Sequence, residues 1–455
     1  MTERRADALV IFGVSGDLAH KKIYRSLYSL EEQGLLAFPV IGVARAGWTV
    51  HEFKREVHQV VDQQVRSVNE KVLDALLARL DYVDGDYRDA ATFGAVKAAL
   101  NGAQFPVTYL AIPPSMFESV VQGLSETPAA EGRLVVEKPF GRDLASARAL
   151  DASVHAVFPE DRVFRIDHFL GKEAIENILV FRFANELFEP FWNRDHIARV
   201  IVTMAEDFGV ADRGAFYEEV GALRDVIENH LFQLLALLTM NAPTGLDAHA
   251  LRDEKARIFR AMRPVLPDDL VRGQYRGYRL EKGVAPDSDV ETFAALRLWI
   301  DDWRWEGVPF YFRAGKRLPH TVTEVLIELK EPPRYLFDCD AGDNWIRYQV
   351  NPQTVVAIGA RIKDTGRGYD SSVRELKLID EEVNAMPEYA RLLGDAIVGD
   401  STLFTREDAV EMAWAVVDEV LREHAPVEEY EPGTWGPPSA EALFGGPWPE
   451  PGDPA

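Results

Sequence analysis

The chain has 455 residues, 47% of them hydrophobic and 27% charged, with a formal net charge of −24. That composition suits an ordinary globular protein of two domains, and its acidity excludes non-specific binding to nucleic acid or to an anionic membrane. A single cysteine, Cys339, excludes an intramolecular disulfide framework and a cysteine-rich metal site; with no leader-like start and no apolar run of membrane-spanning length, the expected location is the cytoplasm.

Short apolar strands at 8–12, 40–44, 107–112, 134–136 and 163–166 alternate with helical patterns. Such alternation predicts an α/β domain over 1–170, a Rossmann-like, doubly wound parallel sheet. The first strand runs into Gly13-Val14-Ser15-Gly16-Asp17-Leu18-Ala19 and a helix from near Lys21. Glycines at such a bend permit a tight turn and let a phosphate approach the backbone, and a small Ala19 permits close helix packing. The spacing departs from GxGxxG and also suits a ligand-free turn, so its weight comes from its place in the first strand, turn and helix. Gly13, Ser15, Gly16, Asp17 and Leu18 are the candidate cofactor contacts.

The second strand ends in Arg45. A basic group there suits the extra phosphate of NADP, where an acid would suit NAD, although charged residues at strand ends are also simply solvated. Ser15, Lys21 and Lys22 are possible helpers. In Tyr109-Leu110-Ala111-Ile112-Pro113-Pro114 the first proline forces its predecessor into an extended conformation and shapes a wall beside a nicotinamide, which adds Tyr109 and Pro113 to the cofactor set. Glu137-Lys138-Pro139-Phe140-Gly141 closes another strand with a lysine that either faces both cofactor and substrate or, read as a lone tripeptide, is ordinary surface. The run Arg165-Ile166-Asp167-His168-Phe169-Leu170-Gly171-Lys172-Glu173 leaves Asp167 and His168 at a strand's carboxyl end, where open α/β sheets bind ligands, although taken alone it also suits a charged surface junction. Lys172 and Glu173 then open a helix whose free N–H groups favour an anion such as phosphate.

From 171 to 455 the texture becomes α+β, with helical stretches at 173–183, 223–240 and 248–261 and strand-like runs at 199–204, 294–303, 322–329 and 355–362. A large, mostly antiparallel sheet with helices on one face is expected. Within the apolar helix 221–235, Asp225 and Asn229 lie four apart on one face, and His230 is either a satisfied core residue or, held by an acid such as Asp167, a general base. Oxidising an alcohol with NADP needs one proton acceptor and a well-placed cofactor carbon, and no metal. The tail from 426, rich in Pro, Gly and Glu, reads as irregular chain lying over the surface.

Together these segments resemble the glucose-6-phosphate 1-dehydrogenase family. GVSGDLAHKK, VARA, YLAIPP, EKPFG, RIDHFLGKE, ALRDVIENHLFQLLALL, FRAGKRL, GDSTLF and GTWGP run in that family's order from residue 13 to residue 437. The resemblance implies oxidation of C1 of β-D-glucose 6-phosphate to 6-phosphoglucono-1,5-lactone with reduction of NADP, the first reaction of the oxidative pentose phosphate pathway. It implies that His230 takes the C1 hydroxyl proton while Asp167 orients it, that His168 and Lys172 hold the sugar phosphate, and that Lys138 bridges sugar and cofactor. Glu206, Asp225 and Lys316 fall on substrate positions, Ser15 and Arg45 on NADP contacts, and the second domain's sheet would build a homodimer or homotetramer.

Departures from the family pattern bear on the substrate pocket. Phe169 stands where many members have tyrosine, Thr321, beside His320, where they have a lysine or arginine, and Asn351 where glutamine is frequent. A lost charge-assisted contact weakens phosphate binding by about 1.5–3 kcal/mol, or tenfold to a hundredfold, unless another group substitutes. Val322 and Gln349 occupy positions that are basic in the second, structural NADP site of some animal members, so one cofactor per subunit is expected. A related sugar oxidoreductase and a non-catalytic NADP(H)-binding paralogue are the competing readings.

Overall fold

The computed structural model describes residues 4–333, 336–337, 344–380 and 386–452, so Cys339 lies outside the described residues. The chain divides into two compact units, the first formed by 1–172, 243–253 and 385–411, the second by 173–242, 254–384 and 412–455.

The first unit is built on six strands: β1 (Leu9–Phe12), β2 (Val40–Ala44), β3 (Leu80–Asp84), β4 (Val107–Leu110), β5 (Arg133–Glu137) and β6 (Val163–Ile166). They are ordered β3-β2-β1-β4-β5-β6, and every neighbouring pair is parallel. β1, β2 and β4 are buried along their whole length, which is why their sequences read as continuous apolar runs: a parallel sheet is covered on both faces. β4 stops at Leu110, short of the predicted 112, where the chain turns into the prolines, which cannot donate to a ladder. Helix Glu388–Val398 buries Tyr389, Leu392, Leu393 and Ile397 in the same core as Ile11, Tyr24 and Phe164. Strand order reverses between β1 and β4, so a crevice opens at the carboxyl edge there.

The second unit carries a nine-stranded mixed sheet of β7 (Ile197–Ala205), β8 (Leu270–Tyr275), β9 (Phe293–Leu298), β10 (Phe310–Gly315), β11 (Val322–Leu329), β12 (Trp345–Asn351), β13 (Thr354–Lys363), β14 (Ser371–Asp380) and β15 (Glu428–Tyr430). The order is β14-β13-β12-β11-β7-β10-β9-β8-β15, antiparallel except for the pairs β7–β10 and β8–β15. The run predicted as strand over 294–303 ends at Leu298, and the chain then turns at Asp302, whose carboxylate accepts the Arg304 N–H at 2.9 Å. The tail differs from the sequence expectation. It adds β15 to the edge of β8, forms the short helix Ser439–Phe444, and buries Tyr430, Phe444 and Trp448. Widely spaced aromatics supply that burial, and the intervening prolines and glycines mask it in composition. Among the described residues no helix is long and apolar enough to cross a membrane.

Candidate active site

In the first unit, β1, β2, β4, β5 and β6 each deliver a sequence-predicted group to the same carboxyl edge. Gly13 follows β1 with φ 89°, and a Cβ there would lie 2.1 Å from the carbonyl oxygen of Ala111, so the β1 turn passes against the end of β4 with no room for a side chain. The Gly13 N–H donates to Val43 O at 2.8 Å and the Gly16 N–H to Gly13 O at 2.9 Å, closing the turn and leaving Ser15 and Asp17 exposed, with Gly16 and Leu18 half-buried. The helix that follows begins with a wide turn at Ala19–Ile23, in which the Tyr24 N–H reaches back five residues to Ala19 O, and the Tyr24 hydroxyl donates to Val14 O.

Arg45 leaves β2 into solvent and pairs with Asp86 at 2.8 Å. Asp84 accepts the N–H groups of Ala46 and Gly47 at 3.1 and 2.7 Å, fixing the loop that presents Arg45. The two helper lysines are engaged with carboxylates, Lys21 with Asp17 and Lys22 with Glu388, both at 2.8 Å. Pro113 is exposed at the end of β4. Tyr109 is fully buried and its hydroxyl donates to Glu137 at 2.5 Å, so its side chain backs the crevice without offering it a polar group. Lys138 is half-buried immediately after β5.

Asp167 and His168 sit at the end of β6 in a tight turn. Asp167 is 2% exposed, and one of its carboxylate oxygens accepts the Phe169 N–H at 3.0 Å. The His168 ring stacks on Tyr389 with centroids 5.9 Å apart and planes 14° from parallel. The Lys172 ammonium lies 5.2 Å from the centroid of the buried Phe169 ring. Burial pushes the Glu388 carboxyl up, but hydrogen bonding from Lys22 and the charges of Lys22 and Lys172 carry it below the usual carboxylate range. Lys22 is thus ion-paired with Glu388, whose carboxyl also feels the positive charge of Lys172.

In the second unit Glu206 and Lys316 follow β7 and β10, whose last residues Ala205 and Gly315 are register partners in the parallel pair. Glu206 and Lys316 form an ion pair, and the Glu206 N–H donates to Gly315 O at 3.0 Å. The Lys316 ammonium is 5.2 Å from the ring centroids of both Phe208 and Tyr217. Burial, followed by the negative charges of Asp225 and Glu206, holds the Tyr217 hydroxyl well above its ordinary pKa, so these acids share its surroundings. Glu206, Asp225 and Lys316 are thus gathered around Tyr217, which the sequence reading missed because an aromatic on an apolar helix reads as core. The Thr321 hydroxyl donates to the Asp207 carboxylate at 2.6 Å and accepts the Asp207 N–H at 3.1 Å, so it is committed to the loop after β7.

His230 is buried on Leu223–Leu231, a run of wide helical turns ended by the Phe232 N–H reaching Ile227 O. In such turns positions five apart return to one face, which brings Asp225 and His230 to the same side along with Asn229. The Asn229 amide donates to Arg224 O at 2.7 Å, pinning the side chain to the preceding turn. Gly221, with φ 66°, breaks the chain just before; a Cβ there would meet the Glu291 carboxylate at 2.4 Å, and Glu291 accepts the Leu223 N–H at 3.2 Å. That carboxylate caps the start of the histidine-bearing segment.

Residues 10–177 match the family description "Glucose-6-phosphate dehydrogenase, NAD binding domain" and residues 179–447 match "Glucose-6-phosphate dehydrogenase, C-terminal domain". The chain is 42% identical over 447 residues to glucose-6-phosphate 1-dehydrogenase 1 of Mycobacterium tuberculosis, covering 97% of this chain and 95% of that protein. The crystal structure of glucose-6-phosphate 1-dehydrogenase from Mycobacterium avium superposes with a TM-score of 0.92 at 41% identity, over 99% of this chain and 100% of the other. A glucose-6-phosphate dehydrogenase in complex with its substrate glucose-6-phosphate gives a TM-score of 0.91 at 30% identity, over 97% and 98%. The chain belongs to the glucose-6-phosphate dehydrogenase family.

Proposed function

We propose that this family member oxidises C1 of β-D-glucose 6-phosphate to 6-phosphoglucono-1,5-lactone with NADP⁺ as acceptor, the opening reaction of the oxidative pentose phosphate pathway. The observation that carries the reading is the match of both family domains across 10–177 and 179–447, with Asp167, His168 and Lys172 present in the segment 165–173. The first unit's edge fits a dinucleotide: a side-chain-free turn at Gly13, the exposed Ser15, and a loop-fixed Arg45 where a 2′-phosphate would lie. NADP⁺, when bound, supplies the acceptor for the electron pair that leaves C1.

The remaining work falls to the chain. Gly13, Ser15, Gly16, Asp17, Leu18 and Arg45 hold the cofactor, with Tyr109 and Pro113 forming its wall. His230 takes the C1 hydroxyl proton, and Asp167 orients it and stabilises the imidazolium that forms. His168 and Lys172 hold the phosphate, Lys138 bridges sugar and cofactor, and Glu206, Asp225 and Lys316 bind the sugar hydroxyls. Glu206 and Asp225 accept hydrogen bonds there and Lys316 donates them. The protein is assigned to the cytoplasm as a homodimer or homotetramer, which sedimentation analysis of the purified chain would distinguish.

Initial rates of NADPH formation at varied glucose 6-phosphate, with glucose and NAD as parallel substitutes, test the reading. Saturation at low glucose 6-phosphate with NADP preferred is the expected result. Equal efficiency on glucose would instead favour a related sugar oxidoreductase, the reading motivated by the buried Phe169 and the committed Thr321. NADP binding without turnover of any hexose phosphate would point to a non-catalytic role.

A further inference from the structure

His155 ends the helix Leu144–His155, and Glu160 stands in the short turn Glu160–Arg162 that leads into β6. Glu407 opens the helix Glu407–Arg422. All three residues belong to the first unit, and Glu160 precedes the amino end of β6, whereas Asp167 follows its carboxyl end. One nitrogen or carboxylate oxygen from each lies within 4.8 Å of the others. The three side chains are half-buried, so small solutes reach them.

The His155 ring is fixed through Nδ1, which lies 2.9 Å from Phe158 O. A carbonyl oxygen only accepts, so Nδ1 carries a proton and donates it. In the neutral ring the Nε2 lone pair then faces two carboxylate oxygens, Glu407 Oε2 at 2.9 Å and Glu160 Oε2 at 3.5 Å. Acceptors do not face one another so closely unless a cation stands between them. A ring proton would serve the nearer carboxylate alone, whereas a divalent cation serves both. Donors about 2.1 Å from zinc, at angles of about 90–110°, lie about 3.0–3.4 Å apart, a range that the two separations bracket. A ring whose other N–H is held by a backbone carbonyl is also how metal-bound histidines are oriented.

The surroundings supply matching charge. Arg165 holds Glu160 at 2.8 Å and Asp151 at 2.7 Å, and Arg148 holds Glu411 at 3.1 Å. Asp151 and Glu411 each bring a carboxylate oxygen within 4.8 Å of one from Glu407. The four carboxylates of Asp151, Glu160, Glu407 and Glu411 against the two guanidinium groups of Arg148 and Arg165 leave two negative charges, the complement of one divalent cation. Arg406 and Arg252 face Asp408 and Asp253 and add no net charge.

We propose that His155, Glu160 and Glu407 bind a divalent cation of the zinc class, which ties the end of the helix Leu144–His155 and the entry to β6 to the first turn of the helix Glu407–Arg422. Mixed imidazole and carboxylate donors favour zinc over magnesium and calcium, which take oxygen ligands. The cation takes no part in the proposed oxidation, so the site stands or falls apart from that reading.

The test is a calorimetric titration of the chelator-stripped protein with zinc chloride, in wild type, His155→Gln and Glu407→Gln. Wild type should bind one more equivalent of zinc than either variant, or bind that equivalent about 10–100-fold more tightly, the loss expected when a ligand is removed or left unsupported. Thermal unfolding supplies a second readout: at about a hundredfold excess of zinc over Kd, wild type should gain about 3 °C and the variants little. Each protein is compared with itself with and without zinc, so a variant that is merely less stable still reports. Magnesium and calcium at the same concentration should shift wild type little. No zinc uptake by wild type would leave a proton alone between the ring and Glu407 and overturn the proposal. Uptake and thermal gain unchanged in either variant would do the same, as would equal gains with all three cations, the response of an acidic surface without a built site.

Discussion

In the first unit the strands run parallel, and Gly13, Arg45, Lys138 and Asp167 leave successive carboxyl ends along one edge. In the second unit β7 and β10 form a parallel pair inside a mostly antiparallel sheet, and Glu206 and Lys316 leave that single pair. The parallel edge is held by many ladders at once, and its strand ends and turns set the groups proposed to bind the cofactor. The second site depends on one ion pair and on side chains of a helix with wide turns. Damage to the first should therefore show in folding and cofactor binding, and damage to the second in turnover and substrate binding.

The largest expected effect comes from His230→Asn. A positioned general base contributes about 10²–10⁴-fold to rate, so kcat should fall by that factor while NADP binding, measured by fluorescence titration, persists. Loss of NADP affinity in this variant would erase the division between the two regions. Gly13→Ala is the counterpart on the parallel edge. A methyl 2.1 Å from the Ala111 oxygen, at φ 89°, has to force β1 from β4 or flip the turn. A destabilisation of about 2–4 kcal/mol is expected in chemical denaturation, together with weakened NADP binding.

Much of that first edge is legible in the sequence because its determinants are local. A glycine turn after one strand, an arginine after the next and Lys138 after another need only strand order, which the alternating pattern supplies. The second site joins residues 110 positions apart in Lys316 and Glu206, and nothing near either one announces the other. A 3.6-residue period sets Asp225 and Asn229 on one face and His230 apart, whereas the wide turns of Leu223–Leu231 bring His230 to that side as well. Tyr389 was invisible for a related reason: helix Glu388–Val398 belongs to a segment far along the chain that packs in the first unit.

Lys316→Met sharpens the comparison at the next scale down. It removes the cation from a half-buried carboxylate and a donor from the proposed sugar site, so KM for glucose 6-phosphate should rise about tenfold to a hundredfold. Cofactor affinity should stay within about twofold, since the altered group belongs to the β7–β10 pair. An equal rise in the NADP constant would mean that Lys316 serves both ligands.

The smallest effect should come from Phe169→Tyr, which restores the side chain common in the family. The residue is 2% exposed, so the ring carbon that would bear the hydroxyl is enclosed, and the Lys172 ammonium lies over the ring face at 5.2 Å. A hydroxyl inserted there gains a hydrogen bond only if the turn relaxes to admit the substrate phosphate, and left unsatisfied it costs about 1–3 kcal/mol. With gain and cost of similar size, KM for glucose 6-phosphate should change by less than about threefold, accompanied by a small loss in unfolding temperature. A tenfold fall in KM would instead show that the turn after β6 opens to the phosphate. Position 169 would then join His168 and Lys172 as a further first-unit side chain in the proposed phosphate contact.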